Sequence, residues 1–171
     1  DQILKSICKE VKGPISAEVT AENFENMLSE AKILSKISKN IVIKLPLTFN
    51  GLKACKHLTK KNYKTNVTLC FTVPQAILAA KAGATYISPF IGRLDDIGQN
   101  GVNLIRDIKK VFSNYTNFKT KILAASVRSI EHVTEVAKAG ADISTIPPKI
   151  FHQLYKHCLL YTSDAADEVL G

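Results

Sequence analysis

Tryptophan is absent from the 171 residues, methionine occurs once, and arginine appears only at Arg93, Arg106 and Arg128. So few arginines, with no interleaved aromatic residues, argue against the basic, ring-bearing surface that reads nucleic acids. The formal charge of +8 comes mostly from lysines such as Lys60, Lys61, Lys109 and Lys110. Spread over helix faces, they form solvated surface with a general attraction for anions. No uncharged apolar run approaches the ~18 residues of a membrane span, and no charged-then-apolar leader opens the chain. The expectation is a soluble cytoplasmic protein with neither membrane nor nucleic acid as partner.

Four cysteines, Cys8, Cys55, Cys70 and Cys158, stand far apart with no C-x-x-C pair, which removes the zinc knuckle and the redox motif. They are expected to be reduced and mostly buried. Asp95 and Asp96 belong to a loop over 93–98, while His57, His132, His152 and His157 are scattered singly, so no metal is expected.

What is present is alternation. Short β-rich runs at 15–20, 41–45, 66–71, 85–90, 121–126 and 142–146 are separated by helical periodicity at 21–37, 51–61, 74–82, 102–112, 130–139 and 149–156. Two of those helices close with nearly the same words, Ala80-Lys81-Ala82-Gly83 and Ala137-Lys138-Ala139-Gly140, each running at once into a strand. Glycine there suits the left-handed residue that ends a helix. Recurring βα units with right-handed crossovers make a parallel sheet.

The strand faces choose between an open and a closed sheet. One face reads Ile15, Ala17, Val19, Ile41, Ile43, Leu45, Val67, Leu69 and Phe71, and is expected to lie under helices. The other carries Ser16, Glu18, Lys44, Asn66, Thr68, Ser88 and Ser126, too polar for a sandwiched sheet, since each unpaired buried group costs about 1–3 kcal/mol. A (βα)8 TIM barrel gives those groups one another and a ligand. At 171 residues the chain is shorter than the ~250 typical of such a barrel, and six of eight strands are legible.

Lys44, inside Ile41-Val42-Ile43-Lys44-Leu45-Pro46, is the most informative residue. Desolvation among branched apolar neighbours favours a neutral amine, which can attack a ketone to give an iminium without any cofactor. The plain alternative is a lysine whose head reaches water. Glu18, of matching parity on the neighbouring strand, suits proton transfer beside that amine, or a simple salt bridge. Asn66 and Thr68 can orient substrate hydroxyls and water, or only bond within the interior. Arg93 and Arg128 are expected on loops leaving strand C-terminal ends, near the helix amides after Ser129, where phosphate binds.

Ser16-Ala17-Glu18-Val19, Ile43-Lys44-Leu45-Pro46-Leu47-Thr48, Thr65-Asn66-Val67-Thr68-Leu69 and the run from Ala82 through Ser88-Pro89-Phe90-Ile91-Gly92-Arg93-Leu94-Asp95-Asp96 resemble the small transaldolase and fructose-6-phosphate aldolase family. The likeness covers about 12–157. It implies a class I aldolase-type barrel without cofactor, in which Lys44 forms the Schiff base and Glu18 handles protons through water beside Thr68. It also implies that Asn66 and Ser88 hold hydroxyls near the dihydroxyacetone end and that Arg93, Ser126 and Arg128 grip phosphate. Aldolase-type members tend to carry glutamine at Glu18 and tyrosine at Phe90. The pair in this chain is transaldolase-like, implying transfer of a dihydroxyacetone unit from sedoheptulose 7-phosphate or fructose 6-phosphate to an aldose phosphate in the pentose phosphate pathway. A fructose-6-phosphate aldolase and a silent sugar-phosphate-binding barrel are the alternatives.

The same resemblance implies homo-oligomeric rings and two strands before Asp1, the first with a proton-transferring aspartate for which this sequence offers no counterpart. The expected division is an incomplete barrel over 1–157 and a tail over 158–171 that resembles a translated sequencing adaptor. A six-stranded piece with open edges is expected to fold poorly or lack activity.

Overall fold

The structure, a computed structural model, describes residues 2–157 and 159–160. Six strands, β1 (Ile15–Glu18), β2 (Ile41–Pro46), β3 (Thr65–Cys70), β4 (Tyr86–Pro89), β5 (Lys121–Ala124) and β6 (Ile143–Ser144), stand where the periodicity predicts them. The helices are α1 (Gln2–Glu10), α2 (Phe24–Ser35), α3 (Phe49–Lys60), α4 (Val73–Lys81), α5 (Ile91–Asp95), α6 (Gly101–Ser113), α7 (Ile130–Lys138) and α8 (Pro148–Gln153). Each strand pairs in parallel with the next, in the order β1-β2-β3-β4-β5-β6. One cavity touches residues from β1 through to Thr145, just past β6, so the sheet curls into a partial barrel. The expected boundary before residue 158 falls at the limit of the described residues.

Helices begin where short polar side chains take over the backbone donors that a first turn leaves free. Asn23, Thr48, Thr72, Asn100 and Ser129 each accept a hydrogen bond from the amide three residues on, and Thr72 and Gln75 do so reciprocally. Both repeated helix endings close as expected, with Gly83 at φ 88° and Gly140 at φ 89°.

The core lies between the convex face of the sheet and the helices. Ile15, Ala17, Ile41, Ile43, Leu45, Val67, Ile87 and Ile122 pack there against Met27, Ala31, Leu58, Ala76, Ala79, Ile105, Ile108 and Val136. Full burial of each large aliphatic side chain contributes about 1.5–3 kcal/mol. The buried residues of α4 are all alanines, Ala76, Ala79 and Ala80.

Two expectations change, and one helix is added. Leu69 and Phe71 do not lie under helices, because a bulge between Val67 and Cys70 shifts the register, puts Leu69 at φ 61° and leaves both side chains exposed. Cys70 takes the buried position instead, as happens when one extra residue inverts a period of two. The segment expected to be a loop over 93–98 begins as helix α5. The sequence reading assigned no element to α1, although Ile3, Leu4, Ile7 and Cys8 recur at helical spacing; the helix has no fully buried residue.

Gly51 stands on the first turn of α3 just where the chain leaves β2, and a Cβ there would overlap the carbonyl oxygen of Pro46. Gly51→Ala is expected to lower the free energy of unfolding by about 1–3 kcal/mol, read as a lower urea midpoint at unchanged slope. An unshifted midpoint would mean that the junction yields without cost.

Candidate active site

The parallel register does the first work of assembly, placing Glu18 opposite Lys44, Lys44 opposite Asn66 and Pro46 opposite Thr68. Side chains at matched positions of neighbouring strands point to the same face. The result is a polar cavity of about 350 Å³ on the concave side, lined by Ser16, Glu18, Lys44, Asn66, Thr68, Ser88, Phe90 and Ser126 together with Leu123, Ala125 and Thr145. It lies toward the C-terminal ends of the strands, where (βα) barrels do their chemistry. A larger cavity of about 740 Å³, between the ends of β1 and β2 and the start of α3, shares Glu18 with it.

Lys44 is not dry. Its side chain is 25% exposed, and Nζ lies 2.8 Å from Glu18 Oε2. The amine therefore rests in an ion pair at the rim of the cavity, where the sequence suggested an apolar enclosure.

Behind the pair, Asn66 ties three strands together. Its Nδ2 donates to Ser16 Oγ at 3.2 Å, and its Oδ1 accepts from Ser88 Oγ at 2.7 Å. Both Asn66 and Ser88 are buried. Thr68 is fully buried, yet its Oγ1 has no hydrogen-bond partner among the described residues. A buried hydroxyl left this way is a group for a ligand or water to meet. Phe90 stands at the edge of the cavity, in edge-to-face contact with Phe71 at 6.2 Å between ring centres. The sequence reading missed Phe71 because only the bulge brings it there.

The two arginines lie beside this cavity and are not among its lining residues. Arg93 is on α5, and its charge helps hold the Asp96 carboxyl below its ordinary value. The main cause of that lowering is the two-pronged hydrogen bond from Arg128, whose Nη2 meets Asp96 Oδ2 at 2.7 Å. Arg128 is raised in return, chiefly by the same bond. Ser126, at φ 62°, connects the two sides: its carbonyl accepts from Gly92 N on α5 at 3.2 Å. Sequence alone could not show Arg128 engaged by a carboxylate 32 residues earlier.

Burial pushes the Cys70 thiol up to about 12 and raises Cys55 as well, while Cys8 is half-buried. Among the described residues, no three His, Cys, Asp or Glu side chains gather as a metal site, and no helix is long and apolar enough to cross a membrane.

A curled parallel sheet alternating with helices, with a lysine, a carboxylate and a row of hydroxyl and amide groups at its C-terminal mouth, defines a partial (βα) barrel. The match to the family model described as "Transaldolase/Fructose-6-phosphate aldolase" runs over residues 1–170, and the chain belongs to that family. It is 58% identical over 158 residues to a "Probable transaldolase" of Bartonella tribocorum, covering 92% of this chain and 72% of that protein. A "Probable transaldolase" of Caldicellulosiruptor saccharolyticus is also 58% identical, with 92% and 73% covered. One from Brucella melitensis is 56% identical over 160 residues, with 94% and 73% covered. Among solved structures, inosine 5' monophosphate dehydrogenase from Legionella pneumophila superposes with a TM-score of 0.63 at 17% identity, over 87% of this chain and 48% of that one. This chain thus spans about half of the dehydrogenase, and the likeness shows the fold alone.

Because the Asp96 carboxyl is held low by Arg128, the pair stabilises the fold above the ordinary aspartate range, and that stabilisation is lost as pH falls through the folded-state value. Asp96→Asn is therefore expected to lower the melting temperature slightly near neutral pH and not at all in strong acid. Thermal melts of both proteins across that range check it; a difference that persists in acid would point to some other contact.

Proposed function

We propose that this site performs transaldolase chemistry through a Schiff base on Lys44. The observation that carries the reading is the Lys44 Nζ to Glu18 Oε2 contact of 2.8 Å in a cavity that also presents the unpaired, buried Thr68 hydroxyl. Attack on a carbonyl needs the amine to give up a proton, and Glu18 is the base within reach. The amine adds to the ketone carbon of a ketose phosphate to give a carbinolamine. Water then leaves after protonation by Glu18, directly or through a water held by Thr68.

The resulting iminium is an electron sink. As the hydroxyl of the next carbon gives its proton to water, the bond between that carbon and the hydroxyl-bearing carbon beside the iminium breaks, releasing an aldehyde and leaving a three-carbon enamine on Lys44. That enamine attacks the aldehyde of an acceptor aldose phosphate, and hydrolysis of the new iminium frees the product. Asn66 and Ser88 hold hydroxyls of the dihydroxyacetone unit, Phe90 forms the wall beside them, and Ser126, Arg93 and Arg128 bind phosphate. In this proposal the donor is sedoheptulose 7-phosphate or fructose 6-phosphate, no cofactor takes part, and the setting is cytoplasmic sugar-phosphate metabolism. Every proposed site residue falls within 1–157, and the tail expected over 158–171 lies outside the described residues except for 159–160.

A fructose-6-phosphate aldolase would use the same lysine but release free dihydroxyacetone. Glu18 and Phe90, the transaldolase-like pair, favour transfer. Borohydride reduction with fructose 6-phosphate is expected to fix an adduct on Lys44, and Lys44→Arg should abolish both adduct and turnover. Glu18→Gln should slow turnover by about 10²–10⁴-fold. Turnover should require an aldose phosphate acceptor. Acceptor-independent release of dihydroxyacetone would select the aldolase, and no adduct at all would leave a sugar-phosphate binder without catalysis.

A further inference from the structure

Arg128 is held at both ends by consecutive aspartates. Its guanidinium lies on Asp96, and its backbone N–H donates to His132 Nδ1 at 3.3 Å. The opposite ring nitrogen, His132 Nε2, lies 3.1 Å from Asp95 Oδ2. Asp95 is fixed in turn, because its Oδ1 accepts from Gly101 N, the first residue of α6, at 2.9 Å.

The ring is also fixed from below. His132 N donates to Ser129 Oγ at 3.1 Å, so His132 is the third residue of a capped helix. A side chain at that position ordinarily reaches back to the amide of the cap residue. Here it reaches one residue further, to Arg128. An Nδ1 that accepts a hydrogen bond carries no proton, which leaves the proton on Nε2, facing Asp95. The carboxylate sets the tautomer, the tautomer sets the acceptor, and the acceptor sets the Arg128 backbone.

Little slack remains on the other side of that arginine. A Cβ on Gly92 would sit 2.6 Å from Arg128 Nε and 2.9 Å from Ser126 Oγ. The guanidinium thus crosses the one point of α5 that has no side chain, and the direction of the backbone at Arg128 decides whether it can lie there.

We propose that His132, braced by Asp95, is a positioning residue for the phosphate-binding arginine, aiming Arg128 across Gly92 beside Ser126. The inference rests on the reading of Arg128 as a phosphate ligand given above. The two functions of the ring can be separated by substitution. The amide of His132→Asn can occupy the Nδ1 position and keep an acceptor for Arg128 N; the longer His132→Gln reaches only toward Asp95.

The test is titration of the full chain with inorganic phosphate, followed by calorimetry or phosphorus resonance, with thermal melts confirming that each variant is folded. Arg128→Ala should weaken phosphate binding by about tenfold or more, and His132→Gln by about three- to tenfold, while His132→Asn stays within about twofold of the parent. Asn and Gln variants that bind phosphate alike, whether as well as the parent or equally poorly, would overturn the positioning role. Unchanged binding by Arg128→Ala would instead remove the phosphate reading itself, and the inference with it.

Discussion

Backbone hydrogen bonding between β1, β2 and β3 holds Glu18, Lys44 and Asn66 abreast, and the concave face takes its chemistry from that alignment. Because side chains alternate along a strand, a slip of one residue would turn Lys44 toward the helices and bring Ile43 or Leu45 into the cavity. The buried convex face prevents this. Ile41, Ile43 and Leu45 are nearly or wholly inaccessible, and exposing them to admit a charged lysine would cost far more than any contact in the polar site returns. Apolar packing on one side of the sheet thus sets the geometry of the polar groups on the other.

The same dependence explains what could be read from the sequence. Strands and core were legible because a period of two against a buried layer leaves its mark in every residue, as with Ile15, Ala17 and Ile43. Lys44 and Glu18 were legible because charge is conspicuous in such strands. Helix α5 was not, since it is short, contains Gly92 and has no side-chain cap; its first amides are held by the carbonyls of Ala125 and Ser126, far away in sequence. The bulge in β3 hid as well, because Leu69 is an ordinary strand residue that gives no hint of a left-handed conformation.

The setting of the charged groups was less legible. Lys44 among branched neighbours reads as enclosed, whereas the structure gives it a carboxylate and an exposed edge. Arg128 reads as a free phosphate ligand, whereas Asp96 already occupies its fork. Strand parity did point to Glu18 as the partner of Lys44, whereas Arg128 chooses Asp96 by tertiary distance, which residue spacing does not encode. An exposed ion pair of this kind gives way readily to a more highly charged anion, so the Asp96 contact is compatible with a guanidinium kept oriented until phosphate arrives.

Among the described residues, β1 is hydrogen-bonded on one side only, to β2, and it carries Glu18 as its last residue. Such a margin strand frays at lower free energy than the inner strands β2 to β5. Amide exchange along β1 would then report the integrity of the Lys44–Glu18 ion pair, while exchange along β3 reports the persistence of the fold. Lys44 can lose its ion-pair partner through local opening before the molecule unfolds.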